Sequence, residues 1–250
     1  MQTGERDGEA WRALRYEHVT GTDVARILGM DPYVSRRRLL ESKLAHADPS
    51  DSAGPYAQRL MAMGRESEPA ARDAFVALAE TYGPAEFRVP GFVEHRTYTW
   101  LSGTPDLLVI EHGKPAGIVE IKCHFHPDPA LADPIACEAD FPLRHWLQVQ
   151  TYLEILNVDN GFLWSWTRCQ GATLFHVQRA DPALFEHCVL PLLYEFKDIL
   201  RKYYRAEGPT TAPKEDLAKL VFRRGEKDDI RAVLQHHLDV TTTYLCRSRE

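Results

Sequence analysis

Apolar residues recur at helical spacing through the first third of the chain and at strand spacing through most of the middle third. Residues 1–10 are polar, charged and aperiodic, which predicts a disordered N-terminus. Order begins at Trp11-Arg12-Ala13-Leu14-Arg15. Thr20-Gly21-Thr22-Asp23 reads as a helix start, with Val24, Ile27 and Leu28 as the apolar face and Gly29 as the stop. A second helix is expected over 34–45, then a polar loop from Ala47 to Gly54. The longest helical region runs over 55–82, with a kink or break at Pro69. There Ala71, Phe75, Leu78 and Tyr82 form one stripe predicted to be buried.

Strands are predicted over 85–94, 97–102, 105–111 and 117–123, followed by a loop carrying Pro127, Pro129 and Pro134. A helix over 142–156 leads to a hairpin of strands 161–169 and 173–178 through Gln170-Gly171. The remainder reads as helical over 182–204, 214–222 and 226–238. Helices, a strand meander, a helix, two strands and more helices make an α/β or α+β sandwich with a central mixed sheet.

The densest chemistry lies between Gly103-Thr104-Pro105-Asp106 and Glu120-Ile121-Lys122. A period of two puts Glu120 and Lys122 on one strand face and Ile121 on the other. A turn centred near Gly113 would bring Asp106 across from this tripeptide. Two carboxylates and a lysine then converge, as a divalent metal and a phosphate ester require. Asp106 and Glu120 are the expected metal ligands, joined by the Ile121 carbonyl. Lys122 would orient or deprotonate water and stabilise charge on the phosphate.

Composition narrows the class. No apolar run nears the ~20 residues that span a bilayer, and the N-terminus lacks an apolar signal core, so an intracellular protein, cytoplasmic or nuclear according to host, is expected. The five cysteines include no C-x-x-C pair, which argues for reduced thiols rather than disulfides or zinc. A net charge of −6 excludes a uniformly basic nucleic-acid binder. Arg36-Arg37-Arg38, Arg201-Lys202 with Arg205, and Arg223-Arg224 read as solvated helix faces. His124 and His126 read as surface or loop residues, and Trp146, Trp164 and Trp166 as core.

Further features extend the pattern: Gly64-Arg65-Glu66-Ser67-Glu68 upstream, Gln148-Val149-Gln150 downstream, and Val19-Thr20-Gly21-Thr22. With Trp11 to Arg15, Thr104-Pro105-Asp106 and Glu120-Ile121-Lys122-Cys123, this set resembles the YqaJ-type viral recombinases. It is similar to the phage lambda exonuclease branch of the PD-(D/E)xK nuclease superfamily over about residues 11–200. The resemblance implies a restriction-endonuclease-like core, an α/β fold with a mixed sheet flanked by helices. It implies a nuclease domain over 11–205 and leaves 206–250 as a helical C-terminal extension without a counterpart. The His124-Phe125-His126 continuation departs from the family pattern.

The resemblance also implies roles. Glu68, rather than Glu66, would supply a carboxylate from the helix. Asp106, Glu120 and Lys122 would be the catalytic core, completed by Gln148. Arg15, with Thr22 and Thr104, would bind the 5′-terminal phosphate of DNA. The implied activity is a 5′-to-3′ exonuclease on double-stranded DNA ends, using two Mg²⁺ or Mn²⁺ ions. Its 3′ single strands would serve a single-strand annealing protein, and a homotrimer is implied as well. An endonuclease of the same fold and a catalytically silent DNA-binding protein remain open on the residues alone.

Overall fold

A six-stranded mixed sheet, with helices on both faces, organises the computed structural model, which describes residues 8–125, 141–168 and 171–248. Helices Glu9–Glu17 (α1), Gly21–Ile27 (α2), Arg36–Leu44 (α3) and Pro55–Glu80 (α4) come first, with strand Val19–Thr20 (β1) between α1 and α2. Strands Glu86–Arg88 (β2), Val93–Glu94 (β3), Leu101–Gly103 (β4), Leu107–Glu111 (β5) and Lys114–Cys123 (β6) follow. Helix Leu143–Leu156 (α5) precedes strands Asn160–Thr167 (β7) and Gly171–Gln178 (β8). Then come Pro182–Leu184 (α6), a π-helical turn Phe185–Val189, Leu190–Tyr203 (α7), Lys214–Ala218 (α8), Glu226–Thr241 (α9) and strand Thr242–Ser248 (β9).

The sheet order is β2-β5-β6-β7-β8-β9, and a small second sheet has the order β1-β4-β3. Within the large sheet β6 and β7 are parallel and the other pairs antiparallel. Parallel neighbours need a crossover, and α5 falls within it. Pairing of Glu111 with Lys114 leaves His112-Gly113 as a two-residue turn. Both have positive φ, 50° and 76°, the requirement of a type I′ hairpin. The turn is thus tighter than the 112–116 gap left between the expected strands, and Lys114 to Ala116 belong to β6.

Alternation along the strands divides the core. Leu107, Val119, Ile121, Trp164 and Trp166 face α4, packing on Ala71 and Phe75. Leu108, Ile110, Ile118 and Leu163 face α5 and the helices beyond it. Helix α5 is buried nearly all round, from Leu143 to Ile155, as a helix sandwiched between sheet and outer helices must be. Each large apolar side chain fully buried there contributes about 1.5–3 kcal/mol. Trp146, Trp164 and Trp166 are all core residues, as expected.

Several expectations need correction. Helix α4 runs through Pro69 without ending, because Ala71 and Phe75 beyond the proline anchor its second half on the sheet. The stripe is buried at Ala71 and Phe75 and half-buried at Leu78; the helix ends at Glu80, and Tyr82 is 77% exposed. Order begins earlier than expected, since Glu9 and Ala10 already lie in α1; residues 1–7 lie outside the described residues. The same holds for Pro127, Pro129, Pro134, His126, Cys137 and Cys169. The segment after residue 205 is not wholly helical, because β9 pairs antiparallel with β8 and extends the sheet. Arg36 is no solvated residue: it is buried and bonds to the Leu192 carbonyl and Glu195. Among the described residues no helix is long and apolar enough to cross a membrane.

Candidate active site

The β5–β6 hairpin brings Asp106 to the Glu-x-Lys strand as its spacing predicts. Leu107 pairs with Val119, so Asp106 stands just past the end of β5, beside Glu120 and Ile121. The Ile121 N–H donates to Asp106 Oδ2 at 2.7 Å. On a strand the carbonyl of a residue points to the same edge as its N–H. The Ile121 carbonyl therefore also faces the Asp106 edge, beyond the paired part of β5.

Glu120 and Lys122 project toward α5, where Gln148 meets both. Lys122 Nζ donates to Glu120 Oε1 at 2.6 Å and to Gln148 Oε1 at 3.1 Å. Gln148 Nε2 donates to the same Glu120 oxygen at 2.7 Å. The second glutamine of the pair is structural. Gln150 bonds the Gln178 carbonyl and the Ala180 N–H, tying α5 to the end of β8. Two residues on a helix are about 200° apart, so only one can face the strand.

Asp106, Glu120 and Gln148 are buried, with Glu120 only 3% exposed. Buried carboxylates need compensating positive charge. Lys122 supplies one ammonium beside the two carboxylates. The donor set is oxygen only: two carboxylates and the Ile121 carbonyl. Such hard donors suit Mg²⁺ or Mn²⁺ better than a thiophilic metal. The residues thus fit a divalent ion, although the described residues hold no group of three or more His, Cys, Asp or Glu assembled for one.

Glu68 approaches from α4 and forms an ion pair with Arg72 one turn on, at 2.6 Å. Its charge reaches Cys123 on β6. Burial pushes the Cys123 thiol up to about 12, and the Glu68 and Asp106 carboxylates reinforce that shift against Lys122. Cys123 is therefore an uncharged thiol lying within the fields of Glu68, Asp106 and Lys122. Two histidines near Lys122 are also neutral. Burial, then Lys122 and Arg144, lower His124 to about 4, and burial followed by the same cations lowers His145. His124 Nε2 sits 2.9 Å from Ser165 Oγ.

Arg15 and Thr104 meet through Trp11, whose Nε1 donates to Thr104 Oγ1 at 3.4 Å. The Arg15 guanidinium lies over the Trp11 ring, 4.6 Å from its centroid. Thr22 occupies the first turn of α2, two residues beyond Thr20. A cavity of about 500 Å³ opens against Arg15, bordered also by Arg12, Arg65, Gln58, Asp48 and Asp51, and lies beside the arginine rather than over Asp106 and Glu120. Beneath this region Lys43 forms a buried ion pair with Asp23 at 2.8 Å and donates to the Arg15 and His18 carbonyls. Burial raises the Asp23 carboxyl, but the Lys43, Arg26 and Arg15 cations outweigh it and hold it at about 2.

Sequence reasoning missed this ion pair and missed Tyr152. A Gln at 148 and a Tyr four residues later share one helix face, the only signal for the latter.

A sequence model of the YqaJ-like viral recombinase domain matches residues 10–159, more than half the chain, a range that includes Arg15, Glu68, Asp106, Glu120, Lys122 and Gln148. The chain belongs to the YqaJ-like viral recombinase family. Its architecture is that of a restriction-endonuclease-like fold. The fold is similar to that of LHK-Exo, an alkaline exonuclease from Laribacter hongkongensis, at 20% identity and a TM-score of 0.58, covering 86% of this chain and 100% of that one. The structure of LHK-Exo in complex with dAMP matches at 21% identity with the same TM-score and coverage. No curated protein matches the sequence.

Proposed function

We propose that this YqaJ-family protein is a metal-dependent exonuclease that degrades linear double-stranded DNA from 5′ ends and leaves 3′ single strands. The observation that carries the reading is the buried Asp106–Glu120–Lys122–Gln148 network on a nuclease-type fold. Membership of a viral recombinase family supports DNA as the substrate.

Hydrolysis of a phosphodiester needs a positioned water, charge neutralisation on the phosphate and support for the departing oxygen. Asp106 and Glu120, with the Ile121 carbonyl, would hold divalent metal, and Glu68 would add a carboxylate from α4. Bound there, Mg²⁺ or Mn²⁺, as two ions, would neutralise phosphate charge. Lys122 Nζ, held by Glu120 and Gln148, would orient the attacking water and stabilise charge on the phosphate. Cleavage of the bond to the 3′ oxygen leaves phosphate on the shortened strand. Each turnover thereby regenerates a 5′-phosphate, the group that Arg15, Thr22 and Thr104 would bind by charge-assisted hydrogen bonds. The exposed 3′ strand would pass to a single-strand annealing protein, and a ring-shaped homotrimer would hold the duplex.

Digestion of end-labelled linear duplex and closed circular duplex, with Mg²⁺ and with chelator, tests the reading. Loss of 5′ label from linear DNA only, and only with metal, is expected. Nicking of closed circles would replace it with an endonuclease, and no cleavage of either would leave a DNA-binding protein.

A further inference from the structure

Tyr152 is a buried polar group beside the centre to which the function assigns no role. Its side chain is buried, and its hydroxyl accepts a hydrogen bond from Gln148 Nε2 at 3.0 Å. With the bond to Glu120, both Nε2 hydrogens of Gln148 are used, and its Oε1 is left to accept from Lys122. Turning the amide over would set its oxygen against Glu120 and its N–H groups against the ammonium.

The other end of Tyr152 rests on two glycines. Strands β1 and β4 pair in parallel, Thr20 with Ser102, so the next residues, Gly21 and Gly103, lie side by side. A β-carbon on either glycine would overlap the Tyr152 ring at Cε1. Gly21 precedes Thr22, and Gly103 precedes Thr104. The ring is thus seated on the two backbone segments that carry those hydroxyls, while its own hydroxyl holds the amide at the catalytic lysine. Burial and the Glu120 charge raise its pKa, so the phenol stays protonated and serves as a fixed acceptor.

The geometry points to Tyr152 as a positioning residue that couples the end-binding segments at Gly21–Thr22 and Gly103–Thr104 to the Gln148–Lys122–Glu120 centre. The inference rests on the nuclease reading above. It requires that ring and hydroxyl act together: the glycines set where the ring lies, and the ring sets where the amide of Gln148 lies. Small errors in the placement of a reacting group cost large factors in rate, so the coupling acts on turnover rather than on capture of DNA.

The test compares Tyr152→Phe, which keeps the ring, with Gly103→Ala, which keeps the hydroxyl but crowds the ring. On 5′-phosphorylated linear duplex with Mg²⁺, each is expected to lower kcat about tenfold with KM within about twofold. The double variant should lose much less than the product of the two, since both break one link. The side-chain amide signals of Gln148, identified by their loss in Gln148→Glu, give a readout independent of cleavage. In Tyr152→Phe one amide proton should exchange with solvent at least about tenfold faster while the melting temperature stays near that of the parent protein. Unchanged kcat and unchanged Gln148 exchange would overturn the inference, as would equal losses that track a general fall in melting temperature. If the parent protein cleaves no DNA with any divalent ion, the nuclease reading fails, whereas the amide measurement still decides whether Tyr152 holds Gln148.

Discussion

Gln148 Nε2 and Lys122 Nζ converge on one oxygen of Glu120, Oε1, at 2.7 and 2.6 Å. The strand face supplies Glu120 and Lys122, but the helix fixes the direction of both by adding a donor to one and an acceptor to the other. A lysine so held is pre-aimed, and pre-aimed charge is worth more in a water-poor site than the same charge on a mobile chain.

Lys122→Ala should therefore lower cleavage of linear duplex at least about 10³-fold, while duplex affinity stays within about threefold. End-labelled digestion and a binding titration in Ca²⁺ measure the two quantities. Digestion at the parent rate would remove Lys122 from the site.

Asp106 accepts the Ile121 N–H and, in the proposed site, would also hold metal. Asp106→Asn keeps an acceptor but removes a negative charge. The Mg²⁺ concentration for half-maximal cleavage should rise by more than about tenfold. Chelator should stop the parent enzyme, and added Mg²⁺ should restore it.

Arg15 lies over Trp11, which also bonds Thr104. Arg15→Ala is expected to erase the preference for phosphorylated over hydroxyl 5′ ends, and digestion rates on the two substrates should become equal within about twofold. Equal proportional losses on both ends would point to general damage.

The Asp23–Lys43 pair predicts acid sensitivity. Asp23 titrates at about 2 in the fold against an ordinary 3.8, so folding is favoured above the ordinary value and that contribution disappears as pH falls through about 2. Lys43→Met leaves the carboxylate buried without its lysine and should cost about 3–5 kcal/mol near neutral pH. Denaturant titrations between pH 2 and 7 should show the parent losing stability at the acid end and the variant losing less.

Much of the fold was legible because its periods are local. The alternation in β5 and β6 and the His112-Gly113 turn chemistry bring Asp106 to Glu120 and Ile121 with no help from distant residues. Helix α5 was legible by length and flanking residues. Strand β9 was not: residues 242–248 carry no alternation strong enough to mark a strand, and pairing with β8 confers the extended form. Tyr82 shows the converse error, since a helical spacing cannot tell that the helix stops at Glu80.

Asp106 and the Glu-x-Lys strand thus follow from the order of residues, because spacing and turn geometry act over a few positions. Their use of Gln148 rather than Gln150, the buried Asp23–Lys43 bridge and the seat of Tyr152 on Gly21 and Gly103 arise from packing between segments far apart in the chain. Local rules set which groups are present. Which of them face one another depends on how helices and sheet close around a shared interior, where each buried polar group has to find its partner.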